Sequence, residues 1–145
     1  MKILIMGLAG TGKTFLGRVI ANYFDAIHFD ADVVRAVAND WDFSELGRMR
    51  QAVRMNVLAQ DAEKQHGIAI CSFIAPTERL RKAFNADLTI YCDGLPMRKY
   101  ASTDKIFEPP KNPTLMYTRG NSTGQLNIIL HEIMTIRGLA GDKKT

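Results

Sequence analysis

The chain is poor in cysteine, with two in 145 residues. That is too few for a disulfide framework, and Cys71 and Cys92 both lie in apolar, strand-like runs where a free thiol behaves as a small hydrophobe. Histidine is also scarce. His28, His66 and His131 show no metal-ligand spacing, and His131-Glu132 lacks the second histidine of a zinc protease motif, so all three are read as structural. No apolar run is long enough to span a membrane. The N-terminal apolar run is too short for a signal peptide and leads straight into a glycine-rich turn, so a reducing, cytoplasmic setting is expected. Internal repeats and low-complexity tracts are missing too. The net charge of +4 is mild and suits polyanionic small substrates as well as nucleic acid. A chain of 145 residues is expected to form one domain, residues 1–145, with a real core.

What is present is concentrated near the N-terminus. Ile3-Leu4-Ile5-Met6 is followed by Gly7-Leu8-Ala9-Gly10-Thr11-Gly12-Lys13-Thr14 and then by the helical pattern Phe15 to Ala21. Strand, glycine-rich turn and helix come in the order that a phosphate-binding P-loop requires. Glycines let the backbone adopt positive φ and turn its N–H groups onto phosphate oxygens, and the helix N-terminus adds a partial positive charge. Gly7, Ala9, Gly10, Thr11, Gly12, Lys13 and Thr14 are therefore the predicted ATP-binding residues. Lys13 reaches the β- and γ-phosphates, and the Thr14 hydroxyl takes one position on Mg²⁺.

The remaining elements alternate. A first helix is predicted from Lys13 to about Tyr23, a short strand at Ala26–Phe29 ending at Asp30-Ala31-Asp32, and a helical piece from Val33 to Ala38. Ser44 and Glu45 open a long helix on which Met49, Ala52, Val53, Val57, Leu58 and Ala62 recur at helical spacing, with Gly67 as its stop. Strands are predicted at Ile68–Phe73, Leu88–Cys92 and Thr114–Tyr117, a helix capped by Thr77 at Glu78–Phe84, and a closing helix at Gln125–Ile136. Asp142 to Thr145 is expected to be a solvated tail. From Asp93 to Pro113 periodicity is lost and four of the five prolines gather, which predicts a functional lid-like loop. The fold class is α/β, a three-layer P-loop NTPase fold with a mainly parallel sheet covered by helices on both faces. Ligands then lie at the carboxyl ends of the strands.

Phosphoryl transfer needs a carboxylate for the metal or the attacking hydroxyl, and Asp30 and Asp32 follow an apolar strand at the right edge. Helix capping by Asp32 and plain solvation of Asp30 are the competing readings. Arg35, one short turn on, is placed to bind an acceptor phosphate bidentately. Arg50 and Arg54 share a helix face with Arg48 offset, and their mutual repulsion would welcome an anionic partner. Phe43 and Trp41 sit in a loop near the mouth, where they either stack on a base or cover the core.

Taken together, Asp30-Ala31-Asp32-Val33-Val34-Arg35, Phe43-Ser44, Ser72-Phe73-Ile74-Ala75-Pro76 and Phe107-Glu108-Pro109-Pro110-Lys111-Asn112-Pro113 resemble, in order, four motifs of the adenylylsulfate (APS) kinase family. The resemblance spans Lys2 to Pro113. It implies a kinase that uses MgATP to phosphorylate the 3′-hydroxyl of adenylylsulfate. Lys13, Asp30 and Asp32 would be the catalytic residues, and Thr14 and Asp30 would hold the metal. Arg35, Phe43, Arg48, Ile74, Ala75 and Tyr100 would bind the acceptor, with Phe43 stacked on its adenine.

The chain departs from the family pattern in three places. Ala75 stands where the family has a serine associated with a phosphoenzyme. Gln51 or Ala52 replaces an asparagine that contacts the acceptor. A basic helical stretch of the lid is cut out, leaving Tyr100 for the family's lid phenylalanine and Arg98 for the lysine near it. The compact form also resembles small phage-encoded kinases that sit among DNA-modifying enzymes. Two further functions are therefore carried: a kinase of hydroxymethylated pyrimidines in nucleic acid, and a nucleotide-binding module with little transferase activity. Family members are often dimers, so a homodimer is an expectation as well.

Overall fold

A computed structural model describes residues 1–120 and 122–138; the predicted tail at Asp142–Thr145 lies outside the described residues. Five strands form one sheet: β1 (Lys2–Met6), β2 (His28–Asp30), β3 (Ala69–Ser72), β4 (Leu88–Cys92) and β5 (Leu115–Tyr117). Every pairing is parallel, and the order is β2-β3-β1-β4-β5. The central strand shows why both faces must be covered. Ile3 and Ile5 point into one apolar cluster with Leu16 and Ile20 of helix α1 (Lys13–Phe24) and Ile129 and Ile133 of helix α6 (Ser122–Ile136). Leu4 and Met6 point into another, with Ala52, Met55, Ala59 and Ala62 of helix α3 (Glu45–His66) and Leu80 and Phe84 of helix α4 (Glu78–Phe84). This period-2 alternation gives the three layers.

The long helix begins and ends where its residues dictate. Ser44 accepts a hydrogen bond from the Gly47 N–H, and Gly67 closes the helix in the left-handed conformation at φ 77°. Its buried stripe differs from the predicted one. Val53 and Val57 are exposed, while Met55 and Ala59 take the core positions between Ala52 and Ala62. Spacing alone allowed either stripe; contact with β1 and β3 selects the one with the small alanines, which lets α3 approach the sheet closely. The second strand begins two residues and ends one residue later than predicted, closing on Asp30 itself, so that helix α2 (Ala31–Ala38) starts immediately. The anionic partner for Arg50 and Arg54 proves to be internal: Asp40 lies 2.8 Å from Arg50 Nε and 2.7 Å from an Arg54 nitrogen.

Gly17 brings α1 onto β2. A Cβ there would stand 2.3 Å from His28 Nε2, which in turn lies 2.6 Å from Ser72 Oγ on β3. His28 is thus structural, as expected. His66 and His131 are exposed. Both cysteines are free and buried, with thiols pushed up to about 12 by burial. No helix among the described residues is long and apolar enough to cross a membrane.

Candidate active site

The β1–α1 turn is shaped by its glycines. Gly7, Gly10 and Gly12 have φ of 143°, 81° and 100°. Gly7 is the tightest, since a Cβ would fall 2.3 Å from the Cys92 carbonyl oxygen at the end of β4. Thr11 is buried, its hydroxyl donating to the Leu8 carbonyl at 2.8 Å, and so fixes the turn. Lys13 Nζ donates to the same carbonyl at 2.8 Å. Burial pulls the Lys13 ammonium down to about 8, although Asp32 and Asp30 act in the opposite sense.

A cavity of about 260 Å³ opens beside this turn, at the carboxyl ends of β1, β2 and β3. Ala9, Gly10, Lys13 and Thr14 border it on the P-loop side, and Asp30 and Asp32 line it from β2 and α2. Asp30 is the residue preceding α2, yet its side chain makes no capping bond, and Asp32 lies inside the first turn. Both carboxylates are therefore left to the cavity rather than to the helix end. Arg35, Phe43, Arg48, Ile74, Ala75 and Tyr100, the predicted acceptor residues, all line the same cavity. Gly7, Thr11 and Gly12 do not line it; they shape the loop behind.

The residues predicted to bind the acceptor are held from several elements. Arg35 is buried, donates to the Asp40 and Asp42 carbonyls at 2.9 and 3.3 Å, and lies over the Phe43 ring at 4.3 Å. Burial and the neighbouring Arg54 and Arg48 lower its pKa against the pull of Asp40 and Asp32. Arg48 donates to the Ser102 and Thr103 hydroxyls at 3.3 and 2.9 Å, while its Nε is buried without a hydrogen-bond partner. Gln51, not Ala52, reaches the cavity wall, with its amide nitrogen 3.2 Å from the Ala31 carbonyl. Ala75 is held at φ 47°, a left-handed conformation that non-glycine residues seldom adopt. Trp41 is exposed and does not line the cavity.

The predicted lid segment is more ordered than its composition suggested. It contains a short helix, α5 (Ala101–Ile106), and stands on two feet. At one, Met97 N–H donates to the Ala9 carbonyl at 2.7 Å; at the other, Glu108 N–H donates to the Pro76 carbonyl at 2.7 Å. Arg98, expected to act at the site, instead pairs with Asp104 at 3.7 Å with its side chain largely in solvent. Its neighbour Lys99 enters the cavity and lies 3.4 Å from Asp32 Oδ2. Met97, Lys99 and Thr103 are the lid residues of the cavity that sequence reasoning missed, and Leu80 of α4 lines it as well. The cluster of basic residues at 98–99 marked the place, but nothing in an aperiodic segment showed which one turns inward.

Known proteins can now be set beside this geometry. No curated protein matches the chain. Residues 1–92, more than half of the chain, match the model of the adenylylsulphate kinase family. Among solved structures, the APS kinase of Mycobacterium tuberculosis in complex with AMPPNP and APS is 20% identical. That match covers 94% of this chain and 96% of that one, with a TM-score of 0.75. The hexameric APS kinase from Thiobacillus denitrificans is 22% identical, covering 97% of this chain and 29% of that one, at a TM-score of 0.63. Shikimate kinase from Aquifex aeolicus is 15% identical, covering 97% of this chain and 100% of that one, also at 0.63. At these identities the structural likenesses show the fold, that of P-loop kinases, and the family rests on the sequence match over β1 to β4. On that match the chain belongs to the adenylylsulphate kinase family of P-loop kinases.

Proposed function

We propose that the protein transfers the γ-phosphate of ATP to the 3′-hydroxyl of adenylylsulfate. The observation that carries this reading is the single cavity in which P-loop, carboxylates and acceptor-side residues meet. The named complex of the mycobacterial relative with AMPPNP and APS supports the same pair of substrates. In this reading the P-loop N–H groups from Gly7 to Thr14 and the Lys13 ammonium bind the donor phosphates. Arg35 and Arg48, including the unpartnered Arg48 Nε, take the acceptor's anionic groups. Phe43 and Tyr100 face its base, while Ile74 and Ala75 form the floor. Asp32 orients the attacking hydroxyl by accepting its hydrogen bond. The acceptor oxygen bonds to the γ-phosphorus as the bond to the β,γ-bridging oxygen breaks. ADP keeps the electron pair, and the hydroxyl proton leaves to solvent.

The donor set suits Mg²⁺. Thr14 and Asp30 border the cavity beside Lys13, and the Asp30 side chain has no capping bond to hold it. Among the described residues there is no cluster of three or more metal ligands. Thr14 and Asp30 would hold the ion as one or two protein groups together with substrate phosphates. Such an ion neutralises charge on the β- and γ-phosphates when bound.

The test is transfer of labelled γ-phosphate from MgATP to a panel of adenylylsulfate, plain nucleosides and nucleotides, and DNA with hydroxymethylated pyrimidines. Labelled phosphoadenylylsulfate is the expected product. Label confined to modified DNA would replace the acceptor while keeping the chemistry. ATP binding without any labelled acceptor would leave a nucleotide-binding module.

A further inference from the structure

Two polar groups of the lid converge on Asp32. The Tyr100 hydroxyl lies 3.3 Å from both carboxylate oxygens, and Lys99 Nζ lies 3.4 Å from Oδ2. Both contacts are long. An O–H···O bond is usually about 2.7–2.8 Å, so the tyrosine is loosely held and easily displaced. The Lys99–Asp32 pair is solvent-accessible on both sides and is a weak tie for the same reason. The backbone around them is fixed more firmly. Met97 is bonded to Ala9 of the P-loop, and the Thr103 and Asp104 N–H groups fold back onto the Tyr100 carbonyl at 3.0 and 2.9 Å.

The Tyr100 ring also touches Phe43, with centroids 5.2 Å apart and planes inclined at 35°. A planar base stacked on both rings needs them about 7 Å apart, two van der Waals layers of roughly 3.5 Å each. A base stacked between the two rings therefore enters by moving Tyr100 away from Phe43. That movement also draws the phenolic hydroxyl off Asp32. Base entry and release of the carboxylate are one motion.

We propose that Tyr100 and Lys99 are specificity-determining residues that make the enzyme choose an acceptor hydroxyl over water. This rests on the reading of Asp32 as the group that orients the nucleophile. Without acceptor, the Tyr100 hydroxyl holds the carboxylate position that an attacking O–H would use, and Lys99 holds the adjacent oxygen. Water is then not aligned on the γ-phosphate. With acceptor bound, its base displaces Tyr100 and its own hydroxyl takes the vacated position. The suppressed side reaction is hydrolysis: a water oxygen bonds to the γ-phosphorus, the bridging bond breaks, ADP keeps the electron pair and a proton goes to solvent. The tyrosine hydroxyl is one feature that separates this lid from the pattern the chain resembles, whose phenylalanine keeps the ring but cannot occupy Asp32.

The experiment is phosphate release from MgATP in the absence of acceptor, with ATP affinity measured in parallel by calorimetry. Tyr100→Phe removes one oxygen and keeps the ring contact, so folding is not at issue. Hydrolysis is expected to rise about three- to tenfold, the range of one modest hydrogen bond. Lys99→Ala should add to the gain, and Asp32→Asn in the Tyr100→Phe background should cancel it. Wild-type hydrolysis rates in Tyr100→Phe and in the Lys99→Ala/Tyr100→Phe double variant would overturn the proposal, as would a gain that persists with Asp32→Asn. A wild-type protein that phosphorylates an acceptor while Tyr100→Phe shows no gain refutes the specificity role alone. A wild-type protein that binds no MgATP refutes the kinase reading and this inference together.

Discussion

The P-loop and the lid border the same cavity, yet they are built in opposite ways. The P-loop is local: eight consecutive residues, three glycines at positive φ, and a backbone carbonyl from the adjacent strand pressing on Gly7. The lid is tied by backbone bonds at its two feet, but the groups it turns toward the cavity are held by side-chain contacts made across long stretches of chain, Arg48 to Thr103 over 55 residues and Asp32 to Tyr100 over 68. A wall made of backbone is stiff and tolerates no added atom. A wall made of long, individually weak side-chain contacts can leave and return, which substrate exchange requires.

The sharpest contrast should come from Lys13→Ala, which removes the only charged side chain of the P-loop wall. Turnover is expected to fall by about 10³-fold, since the transferring phosphate loses its fixed partner. Normal turnover would show that the lid cations suffice. The same lysine gives a pH signature. Its pKa in the free protein is about 8 because of burial, and bound phosphates pull it back up. Nucleotide binding just above that pH should take up a proton, so calorimetry in buffers of different ionisation enthalpy should give different heats. Equal heats would mean that the ammonium is already fully charged before binding.

The next comparison sets two glycines of one loop against each other. Gly7→Ala drives a Cβ into the Cys92 carbonyl oxygen, a backbone atom that cannot yield, and should cost about 2 kcal/mol or more. Gly10→Ala instead meets Met97 Cγ at 2.5 Å, the exposed and flexible side chain of the lid. Its cost should be about 1 kcal/mol, with the loss appearing as weakened lid closure instead of unfolding. Urea midpoints for the two variants check this, and equal destabilisation would erase the distinction between the walls. Smaller still is Thr103→Val, which keeps the buried volume and removes one acceptor of the Arg48 hydrogen bonds. The acceptor KM should rise about two- to fivefold with the melting temperature nearly unchanged.

The weakest effect is expected behind both walls. Asp40 is held well below the usual carboxylate range, first by Arg50 and then by Arg54. A depressed folded-state pKa contributes stability that is complete above the ordinary carboxylate pKa and lost as pH falls through the folded value. Asp40→Asn should therefore be slightly less stable than the parent at neutral pH, and the gap in urea midpoint should close in acid. A gap independent of pH would assign the loss to packing.

The same local-versus-distant distinction governs what the sequence discloses. The P-loop and β4 are legible because each is a contiguous pattern with its own punctuation, and Ser44, Gly67 and Thr77 mark helix ends by bonds to near neighbours. Which stripe of α3 is buried is less legible. Val53 and Val57 fit the helical period as well as Met55 and Ala59 do, and only the closeness of the sheet decides between them. The lid is least legible. Lys99 and Arg98 are adjacent basic residues with no periodic context, and the choice between them rests on Asp32, far away in the chain.

The joint at Gly17 sets one more property of the protein. With no side chain at that position, α1 rests on His28, and His28 rests on Ser72 beside Asp30. Lys13 at the head of α1 and Asp30 at the end of β2 are thereby mounted on a single calliper whose jaws are spaced by packed interior atoms. A substitution at Gly17 would reset the distance between the P-loop and Asp30 without altering any residue of the cavity wall.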